Sequence, residues 1–387
     1  MILKALKFSR FKGETKEWSI EGKPKDGEQE QWLTFDNINL IVGINASGKS
    51  KTIDAIRHIA DLLSSDIKLS NLNILGYGSS EYDLEFMDNE SSLSYYIKYI
   101  NGKIIEETLT INGHQKLNRS RGKLWYEGEN KELDFQTDPD ILAVTKRDQK
   151  QHSFFEKLYS WGKNLSLYRF GTQLGKNAYL RDLNLINDDE EIDLKDGDEV
   201  TGAFVKGERQ FSKIFTDAII KDMRSISYFL EKIDALPLKN LPASINGYGL
   251  NVKECDLDDT TDQREMSQGM FRAFSLLIQL NYSLLNKIPT CILIDDIGEG
   301  LDYDRSRKLI ELVIQKISNS SIQVIMTTND KFVMNAVPLE YWSVIKRVKN
   351  KSFFYNYKNS RESFDEFKYT GMSNFDFLTS EYYITST

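Results

Sequence analysis

Polar and apolar residues alternate through much of the first third of the chain. From Ser80 to about Glu127 the alternation runs through YDLEFMD, SLSYYIKYI, KIIEETLTI and KLWYEG. The separators are Asp88-Asn89, Asn101-Gly102 and Asn112-Gly113. Asn-Gly between alternating runs predicts tight hairpins, because both turn positions tolerate a positive φ. An antiparallel sheet is therefore expected here. Before it, residues 1–42 read as strands, ending in the apolar run Ile38 to Val42. Thr52 to Leu63 then has helical spacing.

The period changes after Ile141-Leu142-Ala143-Val144, which reads as one more apolar strand. FFEKLYSWGKNLSLYRF and ERQFSKIFTDAIIKDMRSISYFLEKI both read as helical, and between them lies the acidic stretch Asn187 to Glu199. That stretch is first of all a solvated loop. The last third alternates again between types. Helices are predicted over Arg272–Leu285 and Tyr303–Ile317, and buried strands over Thr290–Ile294 and Ile322–Met326. Short β-branched runs between helices suit a parallel sheet covered on both faces. The expected class is α/β. Residues 1–144 and 256–345 form a head split in sequence, 145–255 a helical insert and 346–387 a tail.

Composition narrows the class without selecting a function. Hydrophobic residues make up 40% and charged residues 28%, as in a soluble globular protein. The net charge of −8 supplies no global basic field for nucleic acid, so any such contact needs a local strip. Candidates for a strip are Lys4, Lys7, Arg10, Lys12 and Lys16, and then Lys116, Arg119, Arg121 and Lys123. Cys255 and Cys291 give no disulfide framework, and His58, His114 and His152 have no metal-site spacing. The N-terminal pattern is not that of a signal peptide, and no apolar run is long enough to span a bilayer. A cytoplasmic protein is expected.

Chemistry enters where the strand Ile38–Val42 gives way to helix. Gly43-Ile44-Asn45-Ala46-Ser47-Gly48-Lys49-Ser50-Lys51 has the phosphate-loop spacing G-x-x-x-x-G-K-S. Its glycines let backbone N–H groups turn inward onto a phosphate. Lys49 brings a mobile charge to the β- and γ-phosphates, and the Ser50 hydroxyl is a ligand for Mg²⁺. ATP with Mg²⁺ is the implied pairing. A second element is Ile292-Leu293-Ile294-Asp295-Asp296, an apolar strand ending in two carboxylates. At the C-terminal edge of a sheet, Asp295 would hold the metal and Asp296 would polarise a water. A third is Met266-Ser267-Gln268-Gly269-Met270, which opens a helix toward an anion or simply caps it.

In this order the elements resemble the ABC-type ATPases, whose signature loop LSGGQ stands where Ser267 and Gly269 lie. Gly300-Leu301-Asp302 is similar to the family's D-loop, and Asn329 stands where the switch histidine would be. The opening strand with Phe11-Lys12, followed by INLIVGINASGKSKTIDAI, is similar to the SMC/RecF/OLD branch. Asp295-Asp296-Ile297-Gly298-Glu299-Gly300-Leu301 resembles the DEIENGLH segment of OLD-like ATPases, which occur in bacterial phage-defence modules. The resemblance covers residues 1–60 and 264–335. It implies ATP hydrolysis, with Lys49 and Asp296 in catalytic roles, and a homodimer that sandwiches ATP between two heads. Ser267 and Gly269 would then act across the dimer.

The chain departs from the family at three places. Asp296 replaces a catalytic Glu and is one methylene shorter, a change of about 1 Å that can lower a rate on the order of a hundredfold. Asn329 can hydrogen-bond a γ-phosphate but cannot take a proton. The signature loop is degenerate. These departures imply a nucleotide-gated switch more than a fast motor. Gln149 and Gln151 are the candidates for the family's Q-loop glutamine. A compact insert replaces the long coiled coil of SMC proteins, and too little chain follows Leu339 for an OLD nuclease domain. The resemblance therefore implies an anti-phage sensor that acts on a separate effector protein. Assembly beyond a dimer is left open. The alternatives are a RecF-like DNA repair clamp and a nucleotide-dependent scaffold with negligible turnover.

Overall fold

Hairpin chemistry builds the N-terminal half. The computed structural model describes residues 1–23, 31–148, 150–181, 193, 195, 197–238, 247–288 and 290–384. Strands β1 (Ile2–Arg10), β2 (Trp18–Gly22), β3 (Leu33–Thr34) and β4 (Ile38–Val42) precede helix α1 (Lys49–Leu63) and the short α2 (Leu69–Ile74). The alternating stretch becomes β5 (Ser80–Asp88), β6 (Ser91–Ile100), β7 (Lys103–Ile111), β8 (His114–Asn118), β9 (Lys123–Tyr126) and β10 (Lys131–Asp134). Each pairs antiparallel with the next. Asn101 and Gly102 take φ 50° and 73°, and Asn112 and Gly113 take 49° and 78°. Two successive positive φ values match the twist of the flanking strands, as the Asn-Gly pairs predict.

Helix α3 (Phe154–Lys163) packs on α1 and closes this part of the chain. The run Ile141–Val144, expected as a strand, is instead a turn leading into a 3₁₀ segment, Ala143–Thr145. The buried Glu107 carboxylate explains the difference. It accepts the N–H groups of Ala143 (2.9 Å) and Val144 (3.4 Å), along with the Tyr95 hydroxyl (2.9 Å) and the Arg119 guanidinium (3.0 Å). Arg119 also donates to the carbonyls of Ile141 (2.7 Å) and Asp138 (2.6 Å). Side chains thus satisfy backbone groups that a neighbouring strand would otherwise have to meet.

The chain folds into two compact units, Met1–Leu165 with Pro338–Thr387, and Ser166–Val337. The second begins with β11 (Ser166–Arg169), within a segment that reads as helical in sequence. It then forms α4 (Val200–Phe211), α5 (Lys213–Ser225), β12 (Leu230–Pro237), β13 (Tyr248–Glu254) and β14 (Thr260–Asp262). The expected helix through residue 233 therefore ends at Ser225, and its last residues turn into β12. Next come α6 (Gln268–Leu285), β15 (Cys291–Asp295), α7 (Tyr303–Ile317), β16 (Gln323–Thr328) and α8 (Lys331–Ala336). β11, β15 and β16 run parallel in the order β16-β15-β11, and β12-β13-β14 form a small antiparallel sheet.

Back in the first unit, β17 (Trp342–Val348) and β18 (Lys351–Asn356) form a hairpin, followed by α9 (Arg361–Phe367) and α10 (Asn374–Thr379). β17 pairs parallel with β4, and β18 pairs parallel with β2. The order across this unit is β10-β9-β8-β7-β6-β5-β1-β2-β18-β17-β4, and β3 pairs with β1. The aromatic tail is anchored in the same unit. Phe377 stacks edge-on against Phe364 at 4.6 Å and Phe367 at 4.9 Å, and lies 6.4 Å from Trp342.

Candidate functional site: a phosphate loop and a carboxylate edge

Every residue of β4 is buried, so the chain leaves it at a fixed point. A Cβ on Gly43 would lie 2.6 Å from both the carbonyl oxygen and Cγ2 of Ile345. Only glycine lets the loop start this close to β17. Ala46 at φ 63° and Gly48 at φ 113° complete the curl, and α1 begins at Lys49. Thr52 ties the first turn of the helix to the loop by donating to the Gly48 carbonyl at 2.9 Å.

Lys49 is 6% exposed, and its ammonium donates to the carbonyls of Gly43 (2.9 Å) and Ile44 (3.4 Å). The charge that sequence assigns to phosphate thus rests on the loop's own oxygens. Ser47 is 2% exposed, and its hydroxyl has no hydrogen-bond partner among the described residues. An orphaned buried donor beside a curled backbone is what a phosphate would satisfy. Lys51 lies 5.4 Å over the Trp18 ring. Burial, with the Arg10 and Arg347 charges added, lowers its pKa from the usual lysine range. Asn45 is exposed at the loop's crest. Ser50 sits in the first turn of α1.

The second unit gathers the carboxylates. Asp295 ends β15 and is 8% exposed. Thr327 on β16 donates its hydroxyl to Asp295 Oδ1 at 2.6 Å and accepts the Asp296 N–H at 2.9 Å. Asp296 takes φ 55°, a left-handed conformation that Asp tolerates better than most residues. Asn329 donates Nδ2 to Asp296 Oδ1 at 2.9 Å. The expected trio Asp295, Asp296 and Asn329 is therefore brought together. Thr327, which sequence reading passed over, links both carboxylate residues; its signal was the Thr-Thr at the end of a buried strand. A cleft of about 390 Å³ opens beside them, with Asp296, Glu299, Asn329 and Phe332 among its walls.

The signature residues lie in this same unit. The Ser267 hydroxyl caps α6 by accepting the Met270 N–H at 3.2 Å. A Cβ on Gly269 would lie 2.4 Å from the Gly300 carbonyl oxygen, so this glycine allows the D-loop-like turn to approach. Arg272, 8% exposed, reinforces the contact by donating to the carbonyls of Glu299 (2.8 Å) and Thr172 (3.2 Å). Burial lowers its pKa, and the Glu299 carboxylate opposes the shift. Arg272 carries no local sequence signal, because its partners are distant carbonyls.

Most of the basic candidates are partnered. Of the basic residues, Lys12 faces Glu81 at 3.6 Å, Lys123 pairs with Asp134 at 2.7 Å, and Arg119 is held by Glu107 at 3.0 Å. Lys7 lies over Trp32 at 4.9 Å, Lys116 over Trp125 at 4.7 Å, and Arg10 over Tyr77 at 5.1 Å. Gln151 is exposed just before α3, while Gln149 lies outside the described residues, as do 187–192, 194 and 196 of the acidic stretch. Among the described residues no cluster suits a metal built from His, Cys, Asp and Glu alone, and no helix is long and apolar enough to cross a membrane.

The chain is similar to known proteins. A DNA replication and repair protein RecF from Chloroherpeton thalassium (strain ATCC 35110 / GB-78) is 23% identical over 343 residues, covering 78% of this chain and 91% of the relative. An SMC head solved bound to the C-winged helix domain of ScpA superposes with a TM-score of 0.53 at 15% identity, over 92% of this chain and 97% of that one. The fold is like that of an SMC head, and the sequence is similar to that of a RecF protein. Residues 38–335 match its pattern, so the chain belongs to the family described as "AAA domain, putative AbiEii toxin, Type IV TA system".

Proposed function

We propose that the protein binds and hydrolyses ATP as a nucleotide-gated dimeric switch, and that it senses or regulates within a bacterial anti-phage system whose effector is a separate protein. The observation that carries the nucleotide reading is the loop itself. Lys49 is held on the Gly43 carbonyl and the Ser47 hydroxyl is buried without a partner among the described residues, and either could turn onto a polyphosphate. The defence setting is supported by the toxin–antitoxin description of the family and by the OLD-like segment after Asp296.

In this reading Gly43, Asn45, Ala46, Ser47, Gly48 and Lys51 surround the phosphates, and Lys49 neutralises the β,γ bridge. Ser50 and Asp295 would hold Mg²⁺, which when bound withdraws charge from the phosphate oxygens. Asp296 orients a water that attacks the γ-phosphorus. The bond to the β-phosphate oxygen breaks, leaving ADP and inorganic phosphate. Asn329 fixes the carboxylate that does the orienting. Ser267 and Gly269 present the N-terminus of α6 to nucleotide held by a second copy, so closure of the homodimer depends on ATP.

The test is ATP turnover together with solution mass, with and without ATP·Mg²⁺, on wild type, Lys49→Ala and Asp296→Ala. The expected results are ATP-dependent dimerisation lost in Lys49→Ala, and a dimer that persists without turnover in Asp296→Ala. A wild type that binds ATP yet neither dimerises nor turns over would remove the switch and leave a scaffold. One observation favours a second reading: the RecF relative matches over most of its length. A DNA-clamping role predicts ATP-stimulated DNA affinity that falls steeply with salt. It would draw in part on Lys7, Lys12, Lys116 and Lys123, now engaged by acids or aromatic rings, and exposed pairs of that kind are weak enough to exchange.

A further inference from the structure

We infer that Ser352, on the C-terminal strand β18, is a positioning residue for the phosphate loop, held in place by Trp18 of β2. The inference rests on the nucleotide reading above. Its basis is a buried hydrogen-bond relay inside one unit. The Trp18 indole N–H donates to Ser352 Oγ at 3.1 Å, and the Ser352 hydroxyl donates onward to the Ser47 carbonyl at 2.9 Å. Ser352 is 0% exposed and Trp18 is 3% exposed. A hydroxyl has one proton to give, and the indole donor leaves that proton free for the loop. Trp18 therefore fixes the direction in which Ser352 donates.

Peptide geometry makes that direction matter. In a planar trans peptide the C=O and the following N–H point opposite ways. Holding the Ser47 oxygen toward β18 turns the Gly48 N–H away from β18, toward the hollow of the loop. Were this peptide to flip, a carbonyl would face the phosphate and repel it. Gly48 at φ 113° is a residue with ready access to other conformations, so the flip needs an external restraint. The close packing around it is of one piece with this role. A Cβ on Gly48 would meet Ser352 Oγ at 3.0 Å and the Trp18 ring at 3.1 Å.

The experiment measures the dissociation constant for ATP·Mg²⁺ and the ligand-free melting temperature of the full chain. The variants are Ser352→Ala, Ser352→Cys and Ser352→Thr, with Lys49→Ala as reference. The thiol of Cys is nearly isosteric but a weak donor, so it carries the test if Ala fails to fold. Expected is an affinity about three- to tenfold weaker in Ala and Cys, and restored to within about twofold in Thr, whose hydroxyl is retained. The inference is overturned if Ala and Cys bind ATP within about twofold of wild type, or if Thr weakens binding as much as Ala does. If wild type itself binds no ATP, the nucleotide reading has failed instead. If wild type binds and only Lys49→Ala is impaired, this inference alone has failed.

Discussion

The phosphate loop and the carboxylate edge are built on opposite principles. In the loop, two glycines carry most of the freedom beside Ala46 at φ 63°: Gly43 sits where no side chain fits, Gly48 takes φ 113°, and the surrounding strands supply the restraint. At the edge, the unusual backbone belongs to the acid proposed to act in hydrolysis. Asp296 occupies φ 55° and is tied by its N–H to Thr327 and by its carboxylate to Asn329. The loop is general equipment for holding polyphosphate. The edge is individually fitted, with a short acid fixed by two neighbours where the resemblance to ABC-type ATPases implies a longer one. Binding and turnover should therefore be separable in this protein, and substitutions in the two regions should fail differently.

The sharpest contrast comes from two glycines. Gly43→Ala places a methyl group 2.6 Å from Ile345, so the loop must move. ATP affinity is expected to fall on the order of a hundredfold, with turnover lost in consequence. Gly269→Ala places one 2.4 Å from the Gly300 carbonyl and pushes the start of α6 away from the D-loop-like turn. There the affinity of the isolated head should stay within about twofold, while turnover and the ATP-dependent gain in mass fall roughly tenfold or more. Calorimetric titration beside a phosphate-release assay separates the two. Equal losses of affinity in both variants would break the comparison.

A smaller effect is expected at Asn329. Replacement by Ala removes one hydrogen bond to the Asp296 carboxylate without touching the loop. Turnover should fall about three- to tenfold with the Michaelis constant little changed, since the bond serves orientation rather than ground-state affinity. A variant with normal turnover would mean that Thr327 alone sets the geometry of the edge.

How much of this was legible in sequence follows from the range of the interactions. Asn101-Gly102 and Asn112-Gly113 announce their hairpins because a two-residue turn is decided by its own residues. The phosphate loop and the strand ending in Asp295 are legible for the same reason: each is a contiguous run with a local job. Ile141–Val144 misleads because its backbone partners are the side chains of Glu107 and Arg119, far away in sequence. Residues 166–169 mislead because four residues are too few for strand alternation to stand out from the helical spacing around them; parallel pairing with β15 decides it. Ser267 and Gly269 are visible as a motif, yet the reason for glycine at 269 is a carbonyl from residue 300. Ser352 and Trp18 bear on the loop from β18 and β2, and neither local sequence carries any sign of it.

The smallest predicted effect tests a sheet strand of the first unit that belongs to neither region. Asp83 on β5 pairs across the sheet with Lys7, with Glu81 and Glu85 on the same face of the strand. Burial raises its pKa from 3.8 to about 6; Lys7 opposes the shift, while Glu85 and Glu81 add to it. The folded state thus holds this proton more tightly than the unfolded chain does. Between about pH 4 and 6 the unfolded chain has lost the proton while the fold retains it, so the contribution of Asp83 to stability declines across that window and stays low above it. Because the group is partly solvated, the loss is discounted to the order of 1 kcal/mol. Asp83→Asn, which removes the titration, should melt higher than wild type at pH 7.5, and the gap should close toward pH 4.5 in a series of thermal melts. ATP affinity should be unchanged at either pH. A change there would mean that this sheet face and the phosphate loop are coupled within the first unit.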